Sequence, residues 1–240
     1  MPAYIEQVKA AVNKLVRNFP SPGLHTAGNV ASPVLMQELW TAALDTTNVW
    51  TTTLGGTGSA SANVSAGHRL MNLSCGAGLD AAAISSKRLF GVPDQLPTAA
   101  ATIHRKLIVE WMAALVSVAN TDNAVFNMGL APSDGGVRTT GDLIGFVLVS
   151  DALNTLTDVN GTETLTVVSS PPTLTDWNKY RIEIERSTGD QLFYVNEVLK
   201  NRHTTTYERA ISGRINFNTA SEIAVASQLL IGPVRCWVEE

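Results

Sequence analysis

Charge, aromatic rings and cysteine are all scarce in this chain, and each scarcity excludes something. Charged residues are 16% of the 240 positions, and 17 Lys plus Arg against 21 Asp plus Glu leave a formal charge of −4. Nucleic acid and anionic membrane surfaces are met by clustered positive charge, so neither is an expected partner. Two cysteines, Cys75 and Cys236, build no disulfide framework, and without a CxxC or a Cys/His cluster there is no zinc site. The four histidines, His25, His68, His104 and His203, stand apart in the sequence and form no local metal pair. Long apolar runs are missing too: Lys106 to Ala119 is short and carries Glu110, so it does not span a bilayer. The N-terminal stretch has no apolar signal core and places Glu6 early. Maturation in a reducing compartment is therefore expected. There is no GxSxG elbow, no P-loop and no dinucleotide-type glycine motif leading into a helix. No metal and no cofactor are expected.

What is present is hydrophobic. Apolar residues are 45% of the chain, which with so little charge excludes disorder. The first segment differs from the rest. Ile5, Val8, Val12, Leu15 and Phe19 recur at helical spacing among Glu6, Lys9, Asn13, Lys14 and Arg17. This pattern predicts an amphipathic helix from Ala3 to Asn18, ended by Pro20-Ser21-Pro22-Gly23 and followed by an extended linker to Pro33. Such a helix either packs back on its own domain or docks its apolar face on a neighbour, because a short helix is marginal alone.

From Val34 onward the pattern changes to short runs rich in Thr, Val, Ile and aromatics. The clearest predicted strands are Leu107–Val118, Leu143–Ser150, Glu163–Val168, Lys179–Arg186, Gln191–Val195, Arg214–Asn218 and Ser227–Val238. Turn signals separate them, among them Gly55-Gly56, Asn160-Gly161 and Thr188-Gly189-Asp190. A dozen or so strands with no crossover helices predict an all-β antiparallel sandwich or barrel over 34–240, preceded by an arm at 1–33.

One stretch is more specific. In Trp177-Asn178-Lys179-Tyr180-Arg181-Ile182-Glu183-Ile184-Glu185, Tyr180, Ile182 and Ile184 share one strand face. Leu192-Phe193-Tyr194-Val195-Asn196-Glu197-Val198-Leu199 follows after a turn. This meander resembles the hallmark hairpin of concanavalin A-like jelly rolls, "W/H-x-x-Y-x-I-E" then "F/Y-Y-V-D/N-G-x-L", with Glu197 standing where Gly is usual. That superfamily holds laminarinase-type glycoside hydrolases, laminin-G-like modules and lectin-like domains. The resemblance implies two antiparallel sheets packed face to face. It leaves the function open, because the fold hosts enzymes, lectins and virion proteins.

The laminarinase-type enzymes carry a Glu-x-Asp-x-(x)-Glu strand that sets two carboxyls on one face for retaining hydrolysis. The chain has no such run. Glu183 and Glu185 are spaced for a dyad but lie in a different strand of the pattern, so no enzymatic activity is expected. A sugar site would use ring stacking and loop polar groups, which points to Trp50 with Asp134 and Arg138. A lectin-like jelly roll with a helical arm is similar to bacteriophage virion components. The leading expectation is a capsid decoration protein, assembled in a host cytoplasm and located in the virion. It would dock on a major capsid protein through Ile5, Val8, Val12, Leu15 and Phe19, as a homo-oligomer with a trimer favoured. The alternative is a carbohydrate-binding module, either a receptor-binding head of a tail fibre or a free lectin-like protein.

Overall fold

A computed structural model describes residues 34–40, 43–65, 68–76, 80–87, 90–91, 106–117, 124–131, 143–149, 152–159, 162–185, 188–204, 212–221 and 226–239. Among these residues every regular element is a strand. In chain order they are β1 (Val34–Glu38), β2 (Trp50–Gly55), β3 (Ser59–Ser65), β4 (His68–Cys75), β5 (Ala81–Ser86) and β6 (Phe90–Gly91). Then come β7 (Lys106–Ser117), β8 (Ala124–Ala131), β9 (Leu143–Val149), β10 (Ala152–Val159) and β11 (Thr162–Val167). The last five are β12 (Asn178–Glu185), β13 (Asp190–Val195), β14 (Val198–Thr204), β15 (Ser212–Ser221) and β16 (Ser227–Glu239). The expected helix from Ala3 to Asn18 and its linker lie outside the described residues.

The strands form two antiparallel sheets. Sheet A runs β14-β13-β12-β7-β16-β4-β3, with β1 beside β16; sheet B runs β11-β10-β9-β8-β15-β5-β2, with β6 beside β15. The all-β sandwich expected from the sequence is thus what the chain adopts. Alternation builds the core between the sheets. β12 sends Tyr180, Ile182 and Ile184 inward, where β7 sends Leu107, Val109, Trp111, Ala113 and Leu115. Sheet B answers with Phe126, Met128 and Leu130 from β8, Ile144, Phe146 and Leu148 from β9, and Ile215 and Phe217 from β15. Trp111 sits at the centre, stacked on Tyr180 with centroids 6.0 Å apart and edge-on to Phe146 and Phe217 at 6.1 and 5.7 Å.

The β13–β14 turn shows what the departure at Glu197 does. Asn196 and Glu197 both take left-handed backbone, with φ of 51° and 69°, as a two-residue hairpin turn of this hand requires. Glycine costs nothing at the second position, whereas glutamate does. Here Glu197 is anchored by Lys179 at 2.7 Å and Arg181 at 3.5 Å, and the Lys179 amide donates to Asn196 Oδ1 at 2.9 Å.

Neither β8 nor β10 is among the strands that the sequence predicts. β8 and β10 hold Asn127, Gly129, Asn154 and Asp158, residue types depleted from strands. Both are interior strands of sheet B, so tertiary pairing overrides local preference.

Candidate functional site

The face of sheet B turned away from the core carries the unusual residues. Register fixes three rows across the strands. The first runs Thr53, Ala83, Asn218, Asn127, Val147, Asn154, Val167. The second runs Thr51, Ser85, Asn216, Gly129, Gly145, Leu156, Leu165. The third joins Arg214 to Ala131 on one side and Leu143, Asp158 and Glu163 on the other. Neighbours within a row are about 4.8 Å apart across the strands, and same-face neighbours along a strand about 6.8 Å.

Gly129 and Gly145 meet at the centre and leave that spot without side chains. Gly129 has φ of 155°, and a Cβ there would lie 2.2 Å from the Ile144 carbonyl oxygen. A Cβ on Gly145 would lie 2.5 Å from the Met128 carbonyl oxygen. Close approach of β8 and β9 therefore forces glycine at both places. Around these two buried glycines the two sides differ chemically. On the β15 side stand Asn127, Asn216 and Asn218, all buried. On the β10 side Leu143, Val147 and Leu156 form an apolar cluster separate from the core, with Ala131 and Val149 packed against it.

The amides are not equally satisfied. Asn216 Nδ2 donates to Ser85 Oγ at 2.6 Å. Asn218 is 1% exposed, yet among the described residues neither its Oδ1 nor its Nδ2 has a hydrogen-bond partner. Buried polar atoms are nearly always paired, so an amide with both ends unpaired among the described residues is an exception. In the third row Asp158, 8% exposed, likewise leaves Oδ1 without a partner among the described residues. The register makes Asp158 and Glu163 direct cross-strand neighbours. Among the described residues no group of three or more His, Cys, Asp or Glu is placed to hold a metal ion.

Behind this face, β10 is tied to sheet A by a buried histidine. His203 Nδ1 lies 2.9 Å from Thr157 Oγ1, and Nε2 lies 3.1 Å from both Thr155 Oγ1 and Thr166 Oγ1. Phe193 packs on the ring at 4.9 Å. Gln191, also inward, accepts from Thr157 Oγ1 at 3.2 Å. The groups on the imidazole are hydroxyls and a phenyl ring, and burial pushes its pKa below the usual histidine value. The unfolded chain binds this proton near pH 6.5 while the folded chain resists it, so the stability contributed is complete above that pH and lost below it. The unfolding temperature is expected to fall between pH 7 and pH 5, and a His203→Gln protein measured over the same range should lose part of that slope.

The residues expected from sequence are placed as follows. Trp50 is fully buried against Trp40, ring centroids 5.3 Å apart, and its Nε1 donates to Glu38 Oε2 at 3.2 Å. It is a core residue in this fold. Asp134 and Arg138, like Ile5, Val8, Val12, Leu15 and Phe19, lie outside the described residues. Glu183 and Glu185 sit on the far face of sheet A. Glu183 pairs with Arg181 at 3.1 Å and Lys106 at 3.5 Å, and Glu185 with Lys106 at 3.9 Å. The asparagine face was missed, although Ile215-Asn216-Phe217-Asn218 alternates apolar and amide residues in plain sight.

No family model matches the chain. No curated protein matches it either. Solved structures do. The carbohydrate recognition domain of Emp47p superposes with a TM-score of 0.57 at 11% identity, covering 80% of this chain and 90% of that one. The β-glucanase of Bacillus licheniformis gives 0.60 at 14% identity over 88% and 100%. A family 16 glycoside hydrolase from Bacteroides ovatus, solved with a mixed-linkage glucan product, gives 0.61 at 11% identity over 84% and 99%. The fold is therefore the jelly-roll sandwich shared by concanavalin A-like lectin domains and these glucanases. The expectation that the chain is not an enzyme is corrected by this finding, since glycoside hydrolases stand among its structural neighbours. Absence of one carboxylate motif was too narrow a ground for it. Among the described residues, Asp158 and Glu163 are the carboxylates of sheet B's outward face.

Proposed function

We propose that the chain is a carbohydrate-binding jelly roll whose saccharide meets the outward face of sheet B at Asn127, Asn216 and Asn218. The observation that carries this is the buried Asn218 amide, whose donor and acceptor both lack a hydrogen-bond partner among the described residues. A carboxamide offers one acceptor and two donors in a plane, which suits the vicinal hydroxyls of a sugar, each both donor and acceptor. Support comes also from the neighbours, which include sugar-recognition domains and glucanases. The capsid-decoration expectation rests on residues outside the described ones, and nothing in the comparisons supports it.

The test is Asn218→Ala. If Asn218 serves a ligand, the free protein holds an unsatisfied amide at its own expense. Its removal should stabilise the free chain by about 1 kcal/mol and weaken binding of any oligosaccharide found by glycan-array screening on the order of tenfold. Thermal unfolding and calorimetric titration read the two effects. An Asn218→Ala protein that binds like the wild type, or a wild type that binds no glycan, overturns the reading.

A further inference from the structure

β11 ends sheet B and, among the described residues, pairs with β10 alone. Its six residues, Thr162-Glu163-Thr164-Leu165-Thr166-Val167, are all exposed, Leu165 at 37% and Val167 at 60%. The alternation of an antiparallel ladder settles where its backbone points. The Val168 amide donates to the Leu153 carbonyl at 2.8 Å, one step beyond the Asn154–Val167 pair. Even-numbered residues therefore turn their N–H and C=O toward β10, whereas Glu163, Leu165 and Val167 turn theirs away from the sheet. The Val167 carbonyl is met by Asn201 Nδ2 at 3.4 Å. Exposed edges are normally guarded by lysine, proline or a bulge. β14, which ends sheet A, carries Lys200 and Arg202. β11 has threonine, leucine and valine with one charge, Glu163, and its register with β10 runs without a bulge.

We propose that β11 is a self-association edge, pairing antiparallel with β11 of a second copy about a two-fold axis at Leu165. In that register Leu165 faces the partner's Leu165, and Glu163 faces the partner's Val167. The residues whose backbone points outward meet one another, so each pair exchanges two N–H···O=C bonds. Leu156 and Leu165 are cross-strand neighbours on the outward face of sheet B, and the same row continues across the axis. The two glutamates lie at opposite ends of the contact, about 14 Å apart along the strands, so no like charges face each other. A contact that uses one patch on both copies closes at two; the trimer favoured from sequence would need another surface.

The experiment is sedimentation equilibrium of the full chain over a wide concentration range, beside two lysine variants of the same edge. The wild type should pass from one-chain to two-chain mass as concentration rises. Leu165→Lys sets two ammonium groups face to face at the axis and should weaken the dimer about tenfold or more. Val167→Lys adds the same charge two residues away, opposite the partner's Glu163, and should tighten the dimer about threefold. Both side chains are exposed, so both variants should keep the wild-type circular dichroism. Hydrogen exchange of the wild type needs no variant: β11 amides should gain protection as the dimer fills. A wild type that stays one chain throughout overturns the inference and leaves the edge to an extended segment of another protein. A three-chain mass overturns it, as does a dimer whose β11 amides gain no protection. So do folded variants that weaken the dimer equally, or a Leu165→Lys protein that dimerises like the wild type.

Discussion

Gly129→Ala will lower the stability of the domain by about 4 kcal/mol, at the upper end of what single substitutions do. Two penalties act together. The backbone at Gly129 has φ of 155°, where an L side chain is strained. The new methyl would also lie 2.2 Å from the Ile144 carbonyl oxygen and 2.6 Å from Gly145 Cα, both backbone atoms of the paired strand. A flexible side chain would swing aside; a ladder strand does not. β8 and β9 must separate, and with them the interior of sheet B. Gly145→Ala meets one such contact, at 2.5 Å from Met128 O, without the positive φ, and should cost less. Gly55→Ala is the control, since its Cβ would find its nearest atom at an ordinary 3.6 Å, and should stay within about 0.5 kcal/mol of the wild type. Urea unfolding of the three variants checks the order. Near-equal midpoints would mean that the glycine floor is not set by backbone approach.

How far the fold could be read in advance depended on whether local pattern and tertiary position agreed. In β12 they agree: Tyr180, Ile182 and Ile184 alternate with charged residues, and the strand lies in the sheet with that face inward. In β8 they conflict, because Asn127 and Gly129 weaken the strand signal at the positions that make up the candidate site. Functional positions are where such conflict is expected. Trp50 illustrates the opposite error. A tryptophan in a sugar-binding reading invites a stacking role, but Trp50 alternates with Thr51 and falls on the core side of β2, where Glu38 takes its N–H. The asparagines were hidden for a different reason. Asn127 and Asn218 are far apart in the chain, and only the β8–β15 register makes them neighbours; nothing local encodes that pairing.

Trp111→Ala should cost about 3–5 kcal/mol, a third or more of what holds a typical domain folded. Trp111 is fully buried on β7 and lies in the core where the two sheets meet. On its own sheet it stacks on Tyr180, with planes 15° apart. Across the interface it is edge-on to Phe146 of β9 and Phe217 of β15, and its Nε1 points to Met128 Sδ at 3.3 Å. Those three side chains are the inward neighbours of Gly145, of Asn216 and Asn218, and of Asn127 and Gly129. The indole thus fills the space directly behind the amide wall and the glycine floor. Truncation leaves a void that the aromatic cluster closes only in part, and the void lies beneath the strands that hold the amides in register. Trp111→Phe keeps most of the volume and should recover more than half of the loss. Denaturant midpoints measure the stability, and near-ultraviolet circular dichroism reports the aromatic packing. In Trp111→Ala protein kept folded at low temperature, sugar affinity should also fall although the substituted residue touches no ligand, whereas undiminished affinity would show that sheet B holds its outward face without support from the core.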